Sequence, residues 1–151
     1  MLIRQHLTLA AEIDALAEET GIRRAPKRAT AAVTPGAPQP TESQVQRSII
    51  NWLEKYQPSA MVWHVPNGLG GHTKRQKLFR KREGVRAGVP DLTVCWPGGV
   101  TVYVEVKKPG GDVDVEQRRR IERLWRMGHH AAVVASLDEA RAALRAAGVM
   151  R

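Results

Sequence analysis

Cysteine is almost absent from this chain. Cys95 stands alone, so no disulfide forms within it, and a free thiol fits a reducing compartment such as the cytoplasm. Long apolar runs are missing too: no stretch approaches the roughly 18 residues that a membrane span needs. The first residues include Glu12 and Asp14 and no apolar core, which is not the pattern of an export signal. None of the histidines is spaced with Cys95 as a zinc site requires, so zinc is not expected, although a DNA contact by His64 or His72 stays open. Aromatics are sparse, and Trp52, Trp63, Trp96 and Trp125 read as core or dimer-contact residues rather than base-stacking platforms. Acidic groups are in deficit, 15 against 24 Lys and Arg, for a net charge of +9. That balance points to a polyanionic partner, nucleic acid before a membrane surface, since no basic amphipathic helix stands alone.

The positive charge is unevenly placed. Residues 1–40 hold five basic and four acidic groups, whereas residues 41–151 hold nineteen and eleven. Leu7 to Glu19 has the spacing of a short amphipathic helix, and the Ala-, Pro- and Thr-rich stretch that follows, to Pro40, reads as a linker. Residues 41–151 are expected to form the folded domain, opening on a capping box at Thr41-Glu42-Ser43-Gln44 with Val45, Ile49, Leu53 and Tyr56 at helical spacing. Strands are predicted over 61–65, 92–96, 100–107 and 131–135, and further helices over 74–82, 115–127 and 137–147. The order α-β-α-β-β-α-β-α predicts an α/β fold, a mixed sheet with helices on its faces.

The segment around Pro97-Gly98-Gly99 carries the chemistry. Val100, Val102, Val104 and Val106 alternate with Thr101, Tyr103, Glu105 and Lys107, the period-two pattern of a strand with two unlike faces. The valines face a core, and Glu105 and Lys107 share the other side. With a three-residue loop, Trp96 pairs with Val100 and Asp91 falls opposite Glu105; a four-residue loop moves Asp91 toward Val106. Like charges facing each other across a hairpin are destabilising, a cost that a divalent cation between them would offset. Two carboxylates select Mg²⁺ or Mn²⁺ over zinc and leave room for water and a substrate phosphate. Lys107 beside them would orient or deprotonate the attacking water, or stabilise developing negative charge.

Five blocks in order narrow this further: Glu42-x-x-x-Gln46, Val65-Pro66-Asn67-Gly68, Gly88-Val89-Pro90-Asp91-Leu92, Val104-Glu105-Val106-Lys107 and Gln117. Together they resemble the VRR-NUC (virus-type replication-repair nuclease) branch of the PD-(D/E)XK nucleases, over roughly residues 41–149. The resemblance implies a restriction-endonuclease-like core, behind an N-terminal helical extension, that cuts DNA phosphodiester bonds with Mg²⁺ or Mn²⁺. It assigns metal binding to Asp91, Glu105 and the main-chain carbonyl of Val106, catalysis to Lys107, and supporting places in the site to Glu42 and Gln117. It further implies a homodimer and, by likeness to Holliday-junction resolvases, four-way junctions as substrate.

Simpler readings stand beside these. Glu42 also serves as a first-turn acid that complements the helix dipole, and Gln117 as a surface helix residue. Phosphate contacts are expected from Lys74, Arg75, Lys77, Arg80, Lys81 and Arg86, although a run of that kind also makes a solvated helix face. Lys108 is open to either role. Arg118, Arg119 and Arg120 open a helix, where positive charge opposes the dipole and a bound anion would account for them. The alternatives to a junction-cutting endonuclease are a duplex-nicking or restriction-like nuclease and a DNA-binding assembly subunit whose nuclease site is vestigial.

Overall fold

The structure is a computed structural model and describes residues 38–66 and 73–150. The expected helix over Leu7–Glu19, most of the linker after it, Asn67 and the Gly-rich loop with His72 lie outside those residues. Four strands, β1 (Met61–His64), β2 (Leu92–Cys95), β3 (Thr101–Val106) and β4 (His130–Val134), form one sheet in the order β1-β2-β3-β4. The first two pairs are antiparallel and β3–β4 is parallel. Parallel neighbours cannot be joined by a tight turn, and a helix fills the connection. The helices are α1 (Glu42–Tyr56), α2 (Lys74–Arg82), α3 (Val115–Arg126) and α4 (Leu137–Ala146), so the predicted α-β-α-β-β-α-β-α order holds.

The main core lies on one face of the sheet. Val45, Ile49 and Leu53 of α1 and Ala140, Ala143 and Leu144 of α4 pack there against Leu92, Val94, Val102, Val104, Val106 and Val134. Helix α1 starts as its sequence dictates: the Thr41 hydroxyl accepts the Gln44 N–H, and the Gln44 side chain accepts the Thr41 N–H in return. Tyr56, the last residue of α1, expected on the buried side, is exposed, and its ring lies instead beside Trp52, 6.2 Å between centroids, and under the Lys55 ammonium. The second face is covered by α3, where Ile121 is buried and Leu124 and Trp125 are only partly so. The Trp125 indole N–H donates to the Ala131 carbonyl and ties α3 to the start of β4.

The β2–β3 hairpin has the three-residue loop. Cys95 pairs with Thr101 and Leu92 with Val104, and the Trp96 N–H donates to Val100 at 2.9 Å. One step further along this register, Asp91 stands opposite Glu105. Gly98 and Gly99 both have positive φ, 87° and 83°, which only glycine adopts cheaply.

Helix α2 differs from the other three. It has a capping box of its own at Thr73 but buries no residue, and Leu78 and Phe79 stay exposed beside its lysines and arginines. It projects from the connection between β1 and β2 as an arm. The edge strand β1 also leaves Met61 and Trp63 exposed.

Candidate active site

Glu105 sits on the strand face opposite the valine core, yet it is no surface residue. It is 1% exposed, and Lys107, two residues on, is 9% exposed. Burying a carboxylate is costly unless it is paired and hydrogen-bonded. Here one oxygen, Oε1, takes the Lys107 ammonium at 2.9 Å and the Gln117 side-chain amide at 2.5 Å. The other oxygen, Oε2, is also buried and among the described residues accepts no hydrogen bond. Asp91 lies just before β2, and its Oδ2 accepts the Val106 N–H at 2.9 Å. Strand pairing thus brings Asp91, Glu105, Val106 and Lys107 to one place.

Two helix N-termini complete the ring. The Gln117 side chain does two jobs, since its Oε1 accepts the Asp114 N–H in the capping box of α3 while its Nε2 donates to Glu105. That geometry excludes a plain surface role. At the start of α1, Glu42 Oε1 accepts the Lys108 N–H at 3.4 Å, beyond the best hydrogen-bond range, and its charge is felt by both Asp91 and Lys107. Glu42 therefore belongs to the same electrostatic cluster.

A close approach holds this arrangement together. Gly88 has φ +71°, and a Cβ there would stand 2.4 Å from the Glu116 carbonyl oxygen and 2.7 Å from the Gln117 N. The segment leading into Asp91 is thereby pressed against the first turn of α3, and the Arg120 guanidinium reinforces the contact by donating to the Ala87 carbonyl. The sequence singles out Gly88 only as part of a block; its steric task depends on a partner nearly thirty residues away.

Burial raises the Glu105 carboxyl to about 7, with the Asp91 charge adding to the rise and Lys107 opposing it. Asp91 is also raised, chiefly by burial, against the pull of the Val106 N–H and Lys107. For Lys107, burial works downward, but the hydrogen bond and charge of Glu105, with Glu42 and Asp91, outweigh it and the pKa moves up. These directions fix a stability profile. Between the usual 4.5 and about 7, the folded chain holds a proton on Glu105 that the unfolded chain has released, so stability falls as pH rises through that window. At about 1.4 kcal/mol per pH unit the loss is on the order of 3 kcal/mol. Asp91 acts with the same sign, and Lys107 acts only in the alkaline range. Urea unfolding in the presence of a chelator is expected to show a lower midpoint at pH 8 than at pH 5. Glu105→Gln should flatten most of that slope, and an equally steep slope in the variant would contradict the assignment.

The residues expected to touch DNA are less uniform. Lys74, Arg75, Lys77 and Lys81 are exposed on α2, and Arg80 is partly buried. Arg86 is exposed as well, but its guanidinium is turned back onto the Lys81 and Val85 carbonyls at the end of α2. Arg118 and Arg119 have acidic partners, Asp112 at 3.9 Å and Glu116 at 3.0 Å. Acid neighbours thus account for much of the charge at the head of α3 without a bound anion. Such exposed pairs are weak, and a phosphate can take over either arginine. Lys108 is exposed next to Lys107.

Among the described residues no group of three or more His, Cys, Asp and Glu converges as a metal cage. The donors gathered here are the carboxylates of Asp91 and Glu105, hard oxygens, and among the described residues the buried Glu105 Oε2 lacks a partner. That donor set fits Mg²⁺, which binds through one or two carboxylates and keeps several waters.

Comparison with known proteins agrees with this layout. The model of the VRR-NUC domain matches residues 40–138. A relative named "Putative nuclease p44", from Acyrthosiphon pisum secondary endosymbiont phage 1, is 42% identical over 53 residues, which are 35% of this chain and 57% of that protein. The match thus spans little more than half of the relative's length. A solved VRR_NUC domain protein is 26% identical and superposes with a TM-score of 0.57 over 72% of this chain and 88% of its own. A second solved VRR_NUC domain, 27% identical over 69% of this chain and 94% of its own, has a TM-score of 0.49. With two thirds of its length matched by the family model and the same α/β core, the chain belongs to the VRR-NUC family of nuclease domains.

Proposed function

We propose that this chain is a Mg²⁺-dependent DNA endonuclease that hydrolyses phosphodiester bonds at Asp91, Glu105 and Lys107, acting as a homodimer on branched DNA such as four-way junctions. The observation that carries the reading is the buried Glu105 carboxylate, one oxygen satisfied by Lys107 and Gln117 and the other left without a partner. Most buried polar atoms have a hydrogen-bond partner, so the bare oxygen calls for an explanation, and a bound cation would supply one. Mg²⁺, or Mn²⁺ in its place, would be held by Asp91, Glu105 and the Val106 carbonyl and would supply Lewis acidity to the phosphate and to water.

The chain's own groups do the rest. Lys107 lies 2.9 Å from Glu105, beside the carboxylates that would hold the cation. From there it would orient or deprotonate the attacking water, or offer N–H donors to the negative charge that grows on the phosphate oxygens during attack. Gln117 keeps Glu105 in place, and Glu42 adds a further negative charge at the rim. Lys74, Arg75, Lys77, Arg80 and Lys81 supply a sequence-independent hold on the DNA backbone. Pairing of two copies is supported by Met61 and Trp63, large apolar side chains left exposed on the edge strand.

Plasmid relaxation in Mg²⁺ tests the reading, with Lys107→Ala as the control. Equal cutting by both proteins would discard the mechanism, and DNA binding without cutting by either would favour a vestigial site. Symmetric paired cuts in a four-way junction, against weak cutting of matched duplex, are expected; indifference to branching would favour duplex nicking instead. Replacing Lys74, Arg75, Lys77 and Lys81 together by Gln should raise KM about tenfold or more and leave kcat nearly unchanged. Removing one cation from the phosphate backbone flattens the plot of log affinity against log salt by about 0.9, and an unchanged slope would remove α2 from the interface.

A further inference from the structure

We infer that His64 is a positioning residue of the nuclease site, one that sets the direction of the Asp91 carboxylate by fastening the Asp91 main chain. The inference rests on the nuclease reading above. His64 is the last residue of β1 and pairs with Leu92, the residue after Asp91. Its ring Nδ1 lies 2.9 Å from the Asp91 carbonyl oxygen, which also accepts the Val65 N–H at 2.8 Å. A carbonyl oxygen can only accept, so Nδ1 carries the proton of this contact.

Asp91 is thus secured on two sides. Its carbonyl is tied to the end of β1, and its carboxylate to the Val106 N–H of β3. The imidazole supplies a second donor to the Asp91 carbonyl, beside the Val65 N–H. His64 is exposed, and packing therefore does not account for it.

The two ring nitrogens can be separated by substitution. Asn places an amide N–H near the Nδ1 position, whereas Gln reaches the Nε2 position. His64→Ala is expected to lower kcat about tenfold, with KM for DNA changed less than twofold, and to weaken Mn²⁺ binding by calorimetry about tenfold, as loss of a group that orients a metal ligand does. His64→Asn should restore both to within about threefold of wild type, and His64→Gln should not. Thermal midpoints of all three should match wild type, so that loss of fold does not explain the losses. Wild-type behaviour of His64→Ala in both measurements would overturn the inference, as would rescue by Gln and not by Asn. A wild-type protein that binds Mn²⁺ but cuts no DNA would count against the nuclease reading, while the metal titration of the variants would still decide the role of His64.

Discussion

Replacing Lys107 with methionine is expected to cut phosphodiester cleavage by roughly a thousandfold, within the range for a positioned charged or proton-transferring group. Methionine keeps most of the side-chain volume and removes the charge. The loss should appear in kcat rather than in KM for DNA, because Lys107 is buried beside Glu105 and not part of the exposed basic arm. The fold should survive. Without its ammonium neighbour the Glu105 carboxyl, already near 7, moves higher and takes up a proton at neutral pH, which avoids a buried unpaired charge. The expected stability cost is therefore small, about 1–2 kcal/mol, against the 3–5 kcal/mol typical of a broken buried ion pair whose survivor stays charged. Steady-state cleavage with a denaturant titration of the same preparation checks both parts. Retained activity would remove Lys107 from the chemistry, and a collapsed fold would show that the pair is chiefly structural.

The second large effect is expected at a residue that touches no substrate. Gly88→Ala puts a methyl group 2.4 Å from the Glu116 carbonyl oxygen, at a backbone φ of +71°. Left-handed backbone costs a non-glycine residue roughly 1–2 kcal/mol, and the overlap forces the linker and the head of α3 apart at further cost, for about 2–4 kcal/mol in all. Movement of α3 carries Gln117 away from Glu105, and movement of the linker carries Asp91 with it. A displacement of about 1 Å in a reacting site is worth on the order of a hundredfold in rate. Gly84→Ala provides the control: its φ is +97°, but nothing lies within 4 Å of its Cβ. That variant should lose the backbone contribution only and keep its cleavage rate. If both variants cut alike, the contact between the linker and α3 does not set the site.

The sequence made some of this legible and hid the rest for physical reasons. The hairpin was readable because a strand's faces alternate, but the loop length was open between three and four residues, and the observed three-residue loop is what puts Asp91 opposite Glu105. The start of α1 was readable because a capping box is local, contained within four residues. Contacts between distant segments were not. That Gln117 would both cap α3 and hold Glu105 depends on how α3 lies across β3. The depth at which Glu105 is buried depends on the same packing, so its raised pKa had no sequence signal. The arginines at the head of α3 find Asp112 and Glu116, neighbours whose reach a sequence does not reveal. His64 read only as one histidine in a strand, and its bond to the Asp91 carbonyl follows from the β1–β2 register. Helix α2 showed its charge in the sequence, but not that it stands clear of the core.

That last property separates two kinds of change open to this fold. The nine residues of α2 bury nothing, so replacing them taxes neither the sheet nor the acids anchored to it. If α2 holds the DNA as proposed, a library randomised over α2 alone is expected to shift DNA preference while Asp91, Glu105 and Lys107 keep their places, and cleavage assays on the selected variants check this.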